Sequence, residues 1–467
     1  MTAAREKEGT ARVKGDFGPF EERMAAERLP EIVIRSFGHY YGQLAAGETG
    51  LIAEREIRPV ESLPDLEQLP ADLAEVGRAA LPKTVLLKLN GGLGTGMGLE
   101  RAKTLLMVRE GLTFLDIIAR QAIHAGVPLV LMNSFNTHDD SLAALARYPE
   151  LHRDIPLDFL QHKVPKVVQE DLTPARWPAD PELEWCPPGH GDIYAALVTS
   201  GMLETLLGHG YETIFVANAD NLGAELDLKL LGYFVHQRLP FLMEAADRTG
   251  ADRKGGHLAR RTGDGRLVLR ESAQCPEEDS DAFQDIERHR YFNTNNLWIN
   301  LPALDALLRQ RDGLLHLPMI RNSKTVDPRD PDSPKVYQLE TAMGSAIAAF
   351  EGAGALRVPR TRFSPVKNCD DLLAVRSDAY VLTPDWQVTV HPDRTEGVPV
   401  IRLDPRFYKM IDQMEARFPD GPPSLIDCAR LTVQGDVLFG PGVVCRGAVE
   451  VTNPSEAQLK IANEILS

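Results

Sequence analysis

Two periods of apolar residues run through this chain. From Phe17 to about Leu51 the period is helical, with Phe20, Met24, Leu29, Ile32, Val33, Phe37 and Tyr41 roughly on one face, so a helical lead-in is expected. Residues 1 to 16 are charged and aperiodic, and are expected to fray. Pro59, Pro64 and Pro70 punctuate a connector. Thr84 to Asn90 is then a nearly continuous apolar run, the mark of a buried strand. A helical pattern from Thr113 to Ala125 stops at Gly126, and Val127 to Met132 reads as a second strand. Strand, helix and strand at this spacing form a βαβ unit with parallel pairing. The alternation continues with a helix over Asp192 to Leu207, ending at Gly208, and a strand over Thr213 to Ala217. A helix over Leu226 to Gln237 and a strand over Phe241 to Glu244 follow, so the fold class is α/β.

From about Ser377 the pattern changes. Leu425, Leu431, Val437, Val443 and Val449 fall six residues apart with glycines between them, the spacing of a hexapeptide β-helix repeat. Six is also a multiple of the strand period, so ordinary antiparallel strands fit equally. The repeat predicts a short β domain, and Ser455 to Leu466 reads as a closing helix. The expected units are residues 1–75, helical; 76–385, the main α/β domain; and 386–467, the short β domain.

Composition narrows the functional classes. Against 51 basic residues the chain carries 67 acidic ones, a formal charge of −16, which argues against nucleic acid and anionic membranes as partners. A phosphate ligand must therefore meet a local basic site. The five cysteines are scattered without a CxxC pair, which suggests isolated thiols in a reducing compartment. MTAAREKEGTARVKGD lacks an apolar h-region and no apolar run approaches the ~18 residues of a membrane span, so a cytoplasmic location is expected.

Chemistry concentrates at the strand ends. Asn90, Asn133 with Ser134, Asn218 with Asp220, and Glu244 each follow a strand, and in open α/β sheets that edge holds the ligand. After Asn90 come five glycines, Gly91, Gly92, Gly94, Gly96 and Gly98, and then Lys103. Backbone N–H groups freed by glycine, with a lysine beyond, suit a phosphate. The loop is neither GxxxxGK[ST] nor GxGxxG, so nucleotide hydrolysis and hydride transfer lose support.

LKLNGGLGTGMGLERAK resembles the signature of the eukaryotic-type UDP-glucose pyrophosphorylases. LMNSFNTHDDS, WCPPGHGDIYAAL, FNTNNLWINL and VPRTRFSPVKNCDDLLAVRSDAY resemble further blocks of that family in the same order. The resemblance implies a Rossmann-like, GT-A-like nucleotidyltransferase with a mixed sheet flanked by helices, a helical lead-in and a short C-terminal β-helix domain. It also implies the reaction of UTP with glucose 1-phosphate to give UDP-glucose and pyrophosphate, with Mg²⁺ and no covalent intermediate. A sugar phosphate, with a second pKa near ~6, is largely a dianion at neutral pH, so no general base is required. Lysines, backbone N–H groups and a metal suffice to align two anions.

By matching position, Leu89, Asn90, Gly91 and Gly92 resemble the stretch holding uracil and ribose, and Gln161 a glutamine that reads the uracil edge. Gly189 and His190 fall in a nucleotide-binding block, and Asn218, Gly255, Glu271 and Asn295 match positions around the sugar. Asp220 resembles the metal-binding aspartate, while Lys103 and Lys367 resemble the two catalytic lysines. Arg360 and Arg362 are open to two readings, loop anchors or phosphate contacts. Gly96, Arg101-Ala102, Cys186 and Ser364 depart from the family pattern without removing a charged catalytic group. A homo-oligomer through the C-terminal domain is a further expectation. The alternatives are another hexose or N-acetylhexosamine 1-phosphate as substrate, or a regulator that binds nucleotide sugar without catalysis.

Overall fold

The structure, a computed structural model, describes residues 15–151, 154–395 and 397–467; of the segment 1 to 16 expected to fray, residues 1–14 lie outside them. The lead-in is two helices, Gly18–Ala26 and Glu31–Ala45, rather than one. Pro30 separates them with φ −57° and ψ 144°, an extended conformation that starts the second helix but cannot continue the first. Phe20, Met24, Val33, Phe37 and Tyr41 are buried as the period requires.

A ten-stranded mixed sheet forms the centre. Its strands are β1 (Ile57–Pro59), β2 (Thr84–Asn90), β3 (Leu129–Asn133), β4 (Asp158–Leu160) and β5 (Thr213–Asn218). They are followed by β6 (Phe241–Asp247), β7 (His257–Arg261), β8 (Leu267–Arg270), β9 (Tyr291–Asn300) and β10 (Gly354–Arg357). The order is β1-β7-β9-β5-β2-β3-β4, with β8 on β7, β6 on β9 and β10 on β6. From β5 through β2 and β3 to β4 the pairing is parallel; β9 runs antiparallel to β5 and β6.

Both faces of the parallel part are covered, which explains why β2 reads as a continuous apolar run. Leu86 and Phe215 join one core with Ile117, Ile118 and Leu231 from flanking helices. Val85, Leu87, Ile214 and Val216 point the other way, into a core with Ile193, Leu197 and Leu203. The helix Phe114–Ala125 starts at a Thr113–Asp116 capping box and stops at Gly126, whose φ is +69°. The expected helix over Asp192 to Leu207 is instead two, Ile193–Thr199 and Met202–Gly208, because Gly201 takes φ +75° between them. Within the proline-punctuated connector lie β1 and a helix, Leu73–Ala80, that the sequence pattern did not disclose. Among the described residues no helix is long and apolar enough to cross a membrane.

The C-terminal strands are β11 (Val400–Leu403), β12 (Ser424–Gln434), β13 (Val437–Phe439), β14 (Val444–Thr452), β15 (Leu459–Ile461) and β16 (Ile465–Leu466). All their pairings are parallel, β11-β12-β14-β16 in one sheet and β13-β15 in another, so the antiparallel alternative is excluded. Leu425, Leu431, Val437, Val443 and Val449 are all buried. The helix expected over Ser455 to Leu466 is replaced by β15 and β16, because β13 and β14 present backbone groups that this segment pairs.

Candidate active site

The C-terminal ends of β2, β3 and β5 open into a cleft of about 320 Å³. Leu89, Asn90, Gly91, Gly92 and Lys103 line it from the glycine loop. Gln161 enters after β4, Gly189 and His190 from the PPGHGD loop, and Asn218 and Asp220 from the end of β5. Thr104, Met132, Pro187 and Ala219 complete the lining and were not singled out by the sequence.

Local hydrogen bonding fixes these groups. The Asn90 amide donates to Asn133 Oδ1 at 2.7 Å and Ser141 Oγ at 2.8 Å, and its Oδ1 accepts from Thr104 Oγ1 at 2.7 Å. Asn90 thus spends its side chain on tying β2 to β3 and to the segment after Lys103, and meets the cleft through its backbone. Asn133 and Ser134 also turn inward, to Asp158 and to the Gly91 carbonyl. A Cβ on Gly91 would stand 2.8 Å from Gln161 Oε1, so glycine is what lets the amide lie across the loop.

His190 Nδ1 accepts the Met343 N–H at 3.0 Å, which leaves the proton on Nε2. Burial lowers its pKa to about 4, so the imidazole is neutral near pH 7. It is a fixed N–H donor with an uncharged ring.

Lys103 Nζ lies 2.8 Å from Asp220 Oδ2, both side chains being mostly shielded from solvent. The sequence assigned them to separate tasks; the structure puts them in contact. Lys367 stands outside the lining of this cleft, exposed, on the loop before the helix Cys369–Arg376. Asp371 Oδ2 accepts its backbone N–H at 2.7 Å, and the charges of Lys367 and Lys103 both act on that carboxylate, opposing the rise that burial causes.

Gly255, Glu271 and Asn295 lie outside the lining of the first cleft, Glu271 within reach of the Lys367 charge and Gly255 joined to the Lys367 loop through two aromatic rings. A Cβ on Gly255 would stand 2.2 Å from the Phe292 ring, which meets Phe363 edge-on at 4.8 Å between centroids. Lys367 Nζ lies 5.6 Å from the Phe363 centroid. Burial raises the Glu271 pKa to about 7, opposed by the Lys367 charge. Asn295 takes φ +60° where β9 and β6 slip register, and its Oδ1 accepts from Asn293 Nδ2 at 2.8 Å.

One expectation is corrected and one open reading is closed. Glu244 is fully buried beneath the site: its two oxygens take both ends of the Arg362 guanidinium at 2.7 Å, together with Trp298 Nε1 and Asn296 Nδ2. Arg362 is therefore a loop anchor, and Arg360 pairs with Asp252 at 2.8 Å. Among the described residues no three His, Cys, Asp or Glu side chains converge as metal ligands, and Asp220 is the one acid lining the cleft.

Known proteins share this arrangement along nearly the whole chain. A family model for UTP–glucose-1-phosphate uridylyltransferase matches residues 34–446. The UTP–glucose-1-phosphate uridylyltransferase of Solanum tuberosum is 44% identical over 411 residues, 86% of this chain and 83% of that one. The structure of a UDP-glucose phosphorylase from Trypanosoma brucei superposes with a TM-score of 0.86 at 47% identity, covering 97% of this chain and 99% of that one. A point mutant of Leishmania major UDP-glucose pyrophosphorylase in complex with UDP-glucose gives 0.89 at 47% identity, covering 96% and 98%. With the glycine loop, both lysines and Asp220 inside the matched span, the chain belongs to the UTP–glucose-1-phosphate uridylyltransferase family.

Proposed function

We propose that the protein catalyses UTP + glucose 1-phosphate → UDP-glucose + pyrophosphate by direct displacement. An oxygen of the sugar phosphate forms the new bond to the α-phosphorus of UTP as the bond to the bridging oxygen of pyrophosphate breaks. No proton moves in that step when the sugar phosphate enters as a dianion. The observation that carries this reading is the placing of Lys103 and Asp220 at the parallel-strand edge with Lys367 on a neighbouring loop.

In this reading the backbone of Leu89 to Gly92 and the Gln161 amide hold uracil and ribose, beside Gly189 and the neutral His190 donor. Lys103 meets the departing pyrophosphate, and Lys367 meets charge on the attacking and α-phosphate oxygens. Asn218, Gly255, Glu271 and Asn295 surround the sugar, Glu271 accepting from hydroxyls. A Mg²⁺ ion fits a site with one carboxylate, since it keeps several waters and takes substrate phosphates as ligands. Asp220 would hold it, and when bound it would supply positive charge to the triphosphate.

Residues 386–467 are proposed as a short left-handed β-helix-like domain, supported by the six-residue spacing and by the parallel pairing of every strand from β11 to β16, and as the surface for any homo-oligomer. The five free cysteines of the chain favour work in the cytoplasm. The test is pyrophosphate release from UTP and Mg²⁺ with a panel of sugar 1-phosphates. Glucose 1-phosphate should give the highest kcat/KM; faster turnover of a galactose or N-acetylhexosamine phosphate would overturn the substrate assignment. UDP-glucose binding without pyrophosphate exchange would leave a regulator instead.

A further inference from the structure

We infer that the turn Asn221–Gly223 is the platform on which the loop carrying Lys367 docks, and that Asn221 is a positioning residue for the transfer step; the inference rests on the role proposed above for Lys367. The Asn221 side chain is buried, and its amide grips the loop by both of its functions. Nδ2 donates to the Arg362 carbonyl at 3.1 Å, while Oδ1 accepts the Ser364 N–H at 2.9 Å. The neighbouring backbone continues the attachment, since Val366 N–H donates to the Asp220 carbonyl at 3.0 Å. Gly223 brings the loop close: a Cβ there would stand 2.3 Å from the Thr361 carbonyl oxygen.

The platform is itself held from below. Lys88, buried in β2, donates to the Ala224 carbonyl at 2.6 Å, and Arg362 Nη2 donates to the Glu225 carbonyl at 2.9 Å while its guanidinium sits on Glu244. On the other side of Lys367, Asn368 caps the helix Cys369–Arg376. Lys367 is thereby suspended between two fixed neighbours, Val366 and Asn368, one residue away on either side. An in-line transfer needs the Asp220 and Lys103 side at a set separation from Lys367, and a shift of about 1 Å can cost on the order of a hundredfold in rate. Only an amide offers donor and acceptor in one plane to both loop groups; aspartate keeps the acceptor and loses the donor.

The experiment compares Asn221→Ala, Gly223→Ala, Lys367→Ala and the double variants carrying Lys367→Ala. For each it records kcat, equilibrium UTP binding and thermal melting. The expected result is a fall in kcat of at least about tenfold in Asn221→Ala with UTP affinity retained, and no further fall when Asn221→Ala is added to Lys367→Ala. Gly223→Ala, which removes no hydrogen bond, should repeat that pattern and decides the matter if Asn221→Ala does not fold. Undiminished kcat in the single variants, or losses that add in full to that of Lys367→Ala, would overturn the platform. Undiminished kcat in Lys367→Ala itself would instead overturn the role of that lysine, and the platform with it.

Discussion

Lys367 is exposed and paired with no carboxylate among the described residues, whereas Lys103 is held by Asp220. A charge placed where negative charge grows acts mostly on the transition state, so Lys367→Ala should lower kcat by about 10²–10³ while changing UTP affinity far less. Steady-state kinetics beside equilibrium UTP binding separates the two, and equal losses would contradict the assignment. Glu271 carries a pH signature. Its folded pKa, about 7 against an ordinary 4.5, is raised, so the native state holds the proton more tightly than the unfolded chain. Its contribution to stability is therefore present below pH 4.5 and lost as pH rises to about 7. In the sugar-binding role proposed for Glu271 the effect on binding runs oppositely, because it is the ionised form that would accept from hydroxyls. The ionised fraction of Glu271 should raise the KM for glucose 1-phosphate about tenfold from pH 8 to pH 6, and Glu271→Gln should leave only the about twofold change that the substrate phosphate, with its pKa near ~6, gives by itself. A profile unchanged by the substitution would trace to the substrate phosphate alone.

Between elements, the helices Leu73–Ala80 and Leu228–His236 cross at two glycines. A Cβ on Gly77 would stand 1.8 Å from the Leu228 carbonyl oxygen, and one on Gly232 1.8 Å from that of Leu73. Gly77→Ala should destabilise the protein by about 1–3 kcal/mol through overpacking, despite alanine's better helix propensity, seen as a lower melting temperature. A higher melting temperature would show that the helices separate freely. The helix Leu73–Ala80 was hidden in the sequence by flanking prolines and a short length, whereas β2 and the capped helix Phe114–Ala125 were legible from periodicity and a terminal glycine. Pro30 and Gly201 divide helices whose apolar faces continue past the break, so periodicity alone joined them. In the site, the glycine loop announced itself by composition, but the inward turn of Asn90, Asn133 and Glu244 did not. A polar side chain at a strand end looks the same in sequence whether it meets ligand or another strand. Asp371 had a readable signal, the Asn368–Asp371 capping box, whose consequence for Lys367 needed the fold.

Across the whole molecule one apolar cluster runs without interruption from Leu86 and Phe215 through Leu373 and Tyr380 to Leu431, Val437 and Ile461. The C-terminal strands therefore share a core with the catalytic sheet. Truncation after residue 385 should strip that surface and yield a protein that aggregates and loses near-ultraviolet circular dichroism, which gel filtration and spectroscopy would detect. A monodisperse, fully structured fragment would refute the shared core. With a formal charge of −16 the molecule offers free anions little long-range attraction, so what they meet locally decides their fate. There, Asp220 is a tethered rival for Lys103, present at an effective concentration that no dilute solute matches. A weak anion such as sulfate must evict a covalently linked competitor, then sit beside the carboxylate it displaced. Asp220→Asn should therefore bind pyrophosphate more tightly than the native protein in chelator, measured by calorimetry; weaker binding would contradict the rivalry. On the roles proposed for Lys103 and Asp220, the pair would act as a customs gate, opening to an anion that brings a counter-charge for the aspartate.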